Sequence, residues 1–428
     1  MTTANTDRIS QKEFDEFVQR NLKRNYIVNL LYGLFGTTGF RLFFAPTFVP
    51  KYIKTLSGSN IVVGLLQAVG SLMHIITLIF AVKVAETDRV RNRVIIIGSS
   101  MRIQILFMAL AGFFLSSRLN LIMFFIFYAI FNLLIGIQNV VYNMLMSKII
   151  PINVRGTFSG IRDFLGGLTA FFVARQASVM IAGIPFPQSY AWTFLVAFVL
   201  TSIGIVFFAA SKEPETPTEY PPTPGTLQLF KEMKSLLLSD RSFRNFVIVR
   251  GVASASMIGM PYYILYAAES LNLQFSDVAN ITTYLFIAET IFTLIWGRLA
   301  DRFGFRAVFL LGLTFMTAAV LLLIFIPPSL ILFRLVFACV GAGMGGFMMG
   351  SNNLVLEFGT MADRPRRIVV SAIAGDIMRG VAPLLGGFVA DAFGYMEVFY
   401  LGLALLLFSV AVLYKLVEEP RYRSSANK

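Results

Sequence analysis

Runs of about 20 apolar residues recur along this chain, and they constrain its fold more than any other feature. A helix of that length spans the roughly 30 Å hydrocarbon core of a bilayer. We find twelve such runs, at about 26–50, 60–82, 94–116, 120–143, 156–182, 189–210, 245–268, 278–296, 307–327, 330–355, 368–390 and 395–416. The pattern predicts an all-α polytopic membrane protein with twelve transmembrane helices.

The composition excludes several other classes of protein. Of the 428 residues, 57% are hydrophobic and 14% charged, whereas a soluble domain carries about a quarter charged residues. The net charge of +13 therefore does not indicate a nucleic-acid partner. One cysteine, Cys339, excludes an internal disulfide, and one histidine, His74, argues against a metal cluster. No phosphate-binding glycine loop is present, so we expect neither ATP coupling nor a cofactor.

Basic residues fall on one side of the predicted membrane. The loops and termini of that side hold 26 Lys and Arg, and the other side holds three, Lys51, Lys54 and Arg118. Because Lys and Arg are retained in the cytoplasm, both termini are predicted to be cytoplasmic. Trp192 and Trp296 are predicted at the headgroup level.

The spans divide the chain into five predicted segments. These are a cytoplasmic amino-terminal arm (1–24), a six-helix bundle (25–210), a cytoplasmic linker (211–242), a second six-helix bundle (243–416) and a cytoplasmic tail (417–428). Ser10 and Glu13 have capping-box spacing. An amphipathic helix on the membrane surface is predicted in the arm, and another in the linker, from apolar residues at helical spacing.

The two bundles repeat features at nearly one offset. Asp88, Arg89 and Arg93 follow the second span, and Asp301, Arg302 and Arg306 follow the eighth, 213 residues later. Gly136 and Asn143 in the fourth span correspond to Gly346 and Asn353 in the tenth, 210 residues later. This agreement predicts two homologous, pseudo-symmetric halves.

The loop from Gly297 to Arg306 resembles the signature G-x-L-A-D-r-x-G-r-[KR] of the major facilitator superfamily. With the twelve spans, the resemblance covers nearly the whole chain. It implies that a carrier's two halves rock about a central cavity, and that this loop forms the cytoplasmic gate through Gly297, Asp301, Arg302, Gly304 and Arg306. The first copy, with Asp88, Arg89 and Arg93, has Val84 and Arg91 where the glycines belong, which implies a weaker or differently built gate.

The start of the chain resembles an uncharacterised bacterial branch of this superfamily, through Arg24-Asn25-Tyr26, Asn29, Tyr32-Gly33, Pro46 and Val49-Pro50. Length and general appearance also resemble the superfamily's magnetosome membrane proteins. The second resemblance implies transport of an iron-related solute into a biomineralising compartment.

Ionisable residues inside the spans are candidates for function, because each costs about 2.5–3.5 kcal/mol to insert. Besides His74 they comprise seven arginines and three acids: Arg41, Arg102, Arg162, Asp163, Arg175, Arg250, Glu289, Arg334, Asp376 and Arg379. The excess of arginine favours an organic anion or an anionic metal chelate as substrate.

The acids leave alternatives open. Asp376 and Arg379, three residues apart, either neutralise each other or serve a gate or substrate. Arg162 and Asp163 form either an interhelical network or a gate. Glu289 either carries a coupling proton or pairs with Arg250 or Arg102.

The remaining candidates lie on helices that the resemblance implies to line the cavity. Arg41 either meets an anionic substrate or extends to the outer headgroups. Asn139, Asn143, Tyr262, Tyr266 and Asn353 are further candidates for substrate contact. His74 is interpreted as a helix-packing residue, and the glycines from Gly341 to Gly350 are interpreted as allowing close packing.

The leading hypothesis is therefore a secondary transporter of a small solute, proton-coupled or facilitative, multi-pass in the cytoplasmic membrane or a membrane-derived organelle. It is expected to be a monomer and not an enzyme, with the lipid bilayer, the solute and possible protons as partners and no nucleic acid. An iron-related carrier and a non-transporting sensor or scaffold are the alternatives.

Overall fold

The structure is a computed structural model, and it describes residues 10–44, 47–85, 90–151, 154, 158, 161–162, 164–170, 172–173, 175, 183–215, 226–358 and 364–417. Within these ranges all regular structure is helical. The predicted all-α class is confirmed.

The first half of the molecule, residues 10–209, begins with one long helix and contains one short one. The helices are α1 (Gln11–Phe44), α2 (Phe48–Ser57), α3 (Asn60–Ala85), α4 (Val90–Phe114), α5 (Ser117–Ile149) and α6 (Gln188–Ala209). Every residue described between 154 and 175 is also helical.

The second half, residues 241–417, follows a surface helix, α7 (Thr226–Ser239). Its helices are α8 (Arg241–Ala255), α9 (Met260–Leu271), α10 (Phe275–Phe303), α11 (Phe305–Phe325), α12 (Leu330–Leu354), α13 (Arg364–Ala392) and α14 (Tyr395–Leu416). The helix predicted in the linker is thus present as α7.

Ten helical stretches in the described part of the chain are long and apolar enough to cross a membrane. They correspond to ten of the twelve predicted spans. The other two predicted spans fall on α1 and on residues 156–182, much of which lies outside the described residues. The count of twelve therefore stays a prediction.

The amino-terminal arm is not a separate helix, because α1 continues from Gln11 to Phe44. The predicted capping box starts it: the Ser10 N–H donates to Glu13 Oε2 at 2.7 Å, and the Glu13 N–H donates to Ser10 Oγ at 3.3 Å. The predicted first span to residue 50 was also too long, since α2 begins at Phe48. Hydrophobicity alone does not mark such breaks.

The predicted seventh span is likewise two helices. A 3₁₀ turn at Ser256–Gly259 separates α8 from α9, and Pro261 lies in the first turn of α9. Proline lacks the N–H for a regular helical bond, and its ring clashes with the carbonyl four residues earlier. A new helix therefore begins where a continuous one cannot form.

Glycines of α12 bring three helices of the second half together. A Cβ atom at Gly346 would lie 2.8 Å from Gly312 Cα on α11, and one at Gly341 would overlap the Leu285 carbonyl on α10. This confirms the packing interpretation of the glycine run. Trp296 was predicted at the headgroup level, but it is 1% exposed, and its indole N–H donates to the Ala342 carbonyl at 2.9 Å. The span therefore continues beyond Trp296, and its indole fills the space beside α12.

Two neighbouring glycines of α12 provide a test of this packing. Ala at Gly341 requires the Leu285 backbone to move, whereas Ala at Gly345 meets atoms no closer than 3.5 Å. Both substitutions gain similar helix propensity. We expect Gly341→Ala to destabilise the protein by about 1–3 kcal/mol relative to Gly345→Ala. Thermal unfolding in detergent measures the difference, and equal melting temperatures would contradict the packing described here.

Candidate functional site

The two halves meet mainly where α3 packs against α13. Small residues make this approach close: a Cβ atom at Gly387 would lie 2.5 Å from the Asn60 carbonyl oxygen, and one at Gly380 would lie 2.9 Å from Ser71 Cβ. The first contact lies at the ends of the helices near Asn60 and Ala392, which we call the outer end, and the second lies nearer the middle of both helices. The opposite end, with most of the basic residues, is the inner end.

Polar bonds join the halves at the outer end, and we call them the outer seal. Asp391 of α13 accepts the Asn60 and Ile61 N–H groups that begin α3, at 3.0 and 3.1 Å. The Tyr262 hydroxyl of the second half lies 3.3 Å from the Asn60 carbonyl oxygen of the first half, and it also contacts the Pro383 carbonyl oxygen of its own half. Because a helix N-terminus offers unpaired N–H groups, Asp391 completes a helix of the opposite half.

A lysine adds to the outer seal. Lys51 Nζ donates to the Leu273 carbonyl at 2.6 Å, from α2 of the first half to the turn after α9. Partial burial lowers the pKa of the Lys51 ammonium, and the charge of Asp277 opposes this change. The bond therefore helps to close the outer end, although the Lys51 ammonium loses part of its hydration there.

An acid, a histidine and an arginine meet at mid-depth, about 21 Å along α3 from its outer end. His74 Nδ1 of α3 lies 2.6 Å from Asp376 Oδ2 of α13, and Arg379 Nη1 lies 3.3 Å from Asp376 Oδ1. Asp376 is 3% exposed. His74, Asp376 and Arg379 form what we call the mid-depth cluster.

Arg250 of α8 lies beside this cluster and bonds to neutral groups. Its Nη2 donates to Asn352 Oδ1 at 2.7 Å, and its Nη1 donates to Ser371 Oγ at 3.0 Å. Of the two alternatives for Asp376 and Arg379, the mutual pairing is present in the structure. Asp376 also pairs with His74 of the first half, so the pairing does not account for all of its contacts.

A cavity of about 190 Å³ lies between the halves, next to the cluster. Residues of α3 and α5 line one side, including Tyr128, and residues from the turn before α9 through α13 line the other. The wall is mostly apolar and includes Met257, Met260, Met344 and Met348. Arg379 is the charged residue among its lining groups.

A second pair also joins the halves at mid-depth. Arg41 Nη2 of α1 lies 3.5 Å from Glu289 Oε1 of α10, and Arg41 Nη1 lies 3.4 Å from Thr290 Oγ1. The predicted pairing of Glu289 with Arg250 or Arg102 is wrong, because the arginine that contacts Glu289 is Arg41. Arg102 instead donates to the Thr201 and Gly98 carbonyls.

A cavity of about 380 Å³ extends from Arg41 to the inner end of α10, where Arg298 and Asp301 line it. Asp301 and Arg302 are exposed. Gly304 has φ +84°, a conformation that favours glycine, and Arg306 Nη2 donates to the Tyr414 carbonyl at 2.8 Å. A Cβ at Gly297 would lie more than 4 Å from any neighbouring helix, so Gly297 makes no close helix contact in this arrangement.

The corresponding loop of the first half is only partly described. Asp88, Arg89 and Asp163 lie outside the described residues, and Arg93 is half-buried. Glu213 accepts the Val90 and Arg91 N–H groups at 3.0 and 2.8 Å, and it pairs with Lys148 at 3.3 Å. Sequence reasoning missed Glu213, because nothing in its local pattern shows that it caps α4.

The other predicted site residues lie apart from the mid-depth cluster. Asn139 and Asn143 are exposed on α5. Asn139 lies on about the opposite face of this helix from the exposed Ile130. Asn353 donates to Met349 of its own helix. Tyr266 packs on Tyr395 and other rings of the second half, and Arg162 donates to the Tyr142 hydroxyl at 3.2 Å.

Two helical halves around a cavity, joined by charged groups at membrane depth, are typical of a membrane transporter. Residues 246–428 match the model of the Major Facilitator Superfamily. The multidrug resistance protein MdtG of Dickeya zeae (strain Ech586) is 32% identical over 183 residues, 39% of this chain and 41% of that protein. MdtG of Proteus mirabilis (strain HI4320) is 30% identical over 177 residues, 37% of this chain and 40% of that protein. The matches thus span about two fifths of these curated relatives.

Solved structures share the whole architecture. A mutant of the nucleoside transporter NupG superposes with a TM-score of 0.71 at 13% identity, over 91% of this chain and 100% of that chain. A D-xylose-proton symporter superposes with a TM-score of 0.69 at 13% identity, over 95% and 98%. The model of the Major Facilitator Superfamily thus matches the second half of the chain, and the fold of these solved transporters extends over both halves.

The Arg41–Glu289 contact generates a stability prediction. Removing one partner leaves the other charge poorly compensated at membrane depth, whereas removing both does not. We expect Arg41→Gln and Glu289→Gln each to lower stability by about 1–3 kcal/mol, and the double variant to lose less than their sum. Thermal unfolding of all four proteins measures the coupling. Strict additivity would show that the contact contributes nothing.

Proposed function

We propose that this protein is a secondary transporter that moves small amphiphilic organic anions across the cytoplasmic membrane by alternating access. The cavity of about 190 Å³ between the halves is the observation that carries the proposal, because it combines an apolar wall with the single charged lining residue Arg379. A substrate with a hydrophobic body and a carboxylate or similar group fits that chemistry.

The anionic part of the proposal rests on the charges near the cavity. Arg379 and Arg250 place two guanidinium groups close to one carboxylate, Asp376. Arg379 keeps 32% of its side chain exposed, on the cavity wall. An anion there would receive charge-assisted hydrogen bonds and offset the excess positive charge.

The hydrophobic part rests on methionine. Four methionines line the cavity, and their flexible, polarisable side chains adapt to varied shapes. The curated relatives are named multidrug resistance proteins. A variable apolar body attached to one anionic group is therefore the proposed substrate class, and the resemblance to magnetosome proteins, with its iron-related solute, stays a prediction.

The proposed cycle follows from where the halves touch. The outer seal closes one end, while the larger cavity reaches from Arg41 to Asp301 at the inner end. We assign this arrangement to an inward-facing state, in which the exposed Asp301 and Arg302 belong to an open inner gate. Twelve spans in two bundles, with both termini in the cytoplasm, complete the proposal. Asn139, Asn143 and Asn353 are proposed contacts on the inner path.

Transport in proteoliposomes tests this proposal. Radiolabelled aromatic and aliphatic carboxylates are compared with their neutral amides and with lipophilic cations, as counterflow that needs no ion gradient. We expect at least one carboxylate to exchange. We expect Arg379→Gln to slow the exchange of that carboxylate tenfold or more, because the substrate loses the guanidinium that binds it.

Arg334→Gln is the matched control. It removes another arginine from the membrane spans of the second half, where Arg334 contacts Asn280 and Tyr284 away from the cavity. Its rate should stay near that of the wild type. Exchange of cations in preference to every carboxylate, or an unaltered rate in Arg379→Gln, would overturn the anion assignment.

A further inference from the structure

One hydrogen bond at mid-depth connects the two halves through a group that can carry a proton. His74 is the only histidine in the sequence, and its Nδ1 lies 2.6 Å from Asp376 Oδ2. His74 belongs to α3 of the first half and Asp376 to α13 of the second. Any motion that separates these helices must break the bond.

The charged groups around Asp376 come from three helices. Among the described residues, α3 contributes His74, α8 contributes Arg250, and α13 itself contributes Arg379. The neighbouring residues of α12, Ser351 and Asn352, are neutral and bond to Arg250. Asp376 is nearly inaccessible, whereas His74 keeps 37% of its side chain exposed. His74 is therefore the more accessible member of the pair.

We propose that His74 and Asp376 together bind one proton between the halves, and that this proton is transported in the same direction as the anion. The proposal rests on the proposed transport function and names its coupling ion and the sign of the coupling. It replaces Glu289 as the coupling group, because Glu289 faces Arg41.

The sign follows from the bond itself. With neutral His74 and ionised Asp376, the imidazole N–H donates to a carboxylate. One added proton gives an imidazolium beside a carboxylate, so that donor and acceptor are both charged and the bond becomes stronger. The proton therefore stabilises the state in which α3 and α13 are in contact and the outer end is closed.

Arg379 links this proton to the substrate. It bonds to Asp376 and also lines the cavity, so an anion in the cavity competes with Asp376 for the same guanidinium. A carboxylate that loses a cationic partner at a desolvated site binds a proton more readily. Anion and proton then favour each other's binding, which is the linkage of a symporter; the opposite sign would belong to an antiporter.

The distance between the outer ends tests the proton site without knowledge of the substrate. Spin labels are attached at Thr55→Cys and Phe393→Cys, one exposed site on each half, in a Cys339→Ala background. Double electron-electron resonance in lipid nanodiscs is recorded from pH 5 to pH 8. We expect acid to increase the ratio of the closed to the open outer end by about fivefold or more.

Two variants and one control separate the pair from other titrating groups. Gln at His74 keeps a donor but binds no proton, and Asn at Asp376 removes the acid. We expect His74→Gln and Asp376→Asn to abolish the response to pH. Glu397→Gln, which neutralises an exposed carboxyl of α14, should leave it intact.

A pH response that is absent in the wild type, or unchanged in both variants, overturns the proton site. Carboxylate transport supplies the second readout: relative to its own counterflow rate, His74→Gln should show at least tenfold less accumulation driven by an inward proton gradient than the wild type. If no carboxylate exchanges while the distance still follows His74 and Asp376, the transport function fails and the proton site stands. If exchange persists and His74→Gln accumulates normally, the coupling fails alone.

Discussion

The cost of placing charge in a membrane governs how the two halves of this protein are joined. Each ionisable side chain in the spans must find a partner, because lipid offers none. Two of these contacts, His74–Asp376 and Arg41–Glu289, run between the halves. The halves are therefore held together at mid-depth by bonds whose strength depends on charge. Close packing of α3 on α13 determines how the surfaces of the two halves fit together.

The two ends of the molecule differ in what they expose. At the outer end, glycines and the outer seal bring backbone against backbone, and few side chains lie between α3 and α13. At the inner end, Arg298, Asp301 and Arg302 face a cavity or solvent. Such an asymmetry fits the inward-facing state proposed above, since a pathway open at both ends at once would form a channel.

The sequence alone was sufficient to predict the helical class and most spans, because a run of about 20 apolar residues is compatible with few structures other than a transmembrane helix. It also predicted the pairing of Asp376 with Arg379 as one of two alternatives, since residues three apart on a helix are neighbours. It did not predict His74 with Asp376, which are 302 residues apart, nor Arg41 with Glu289. Those contacts depend on how the halves dock, and helical periodicity within one segment carries no information about that docking. For the same reason Tyr262, predicted as a cavity residue, contributes its hydroxyl to the outer seal.

The cap that Asp391 places on α3 has a consequence for how opening can be observed. The first N–H groups of most helices are bonded within their own domain, but those of Asn60 and Ile61 depend on a carboxylate from the opposite half. When the outer end opens, these two amides exchange the carboxylate for water. Their hydrogen–deuterium exchange would therefore report, in the unlabelled protein, the outer opening that we propose for the transport cycle.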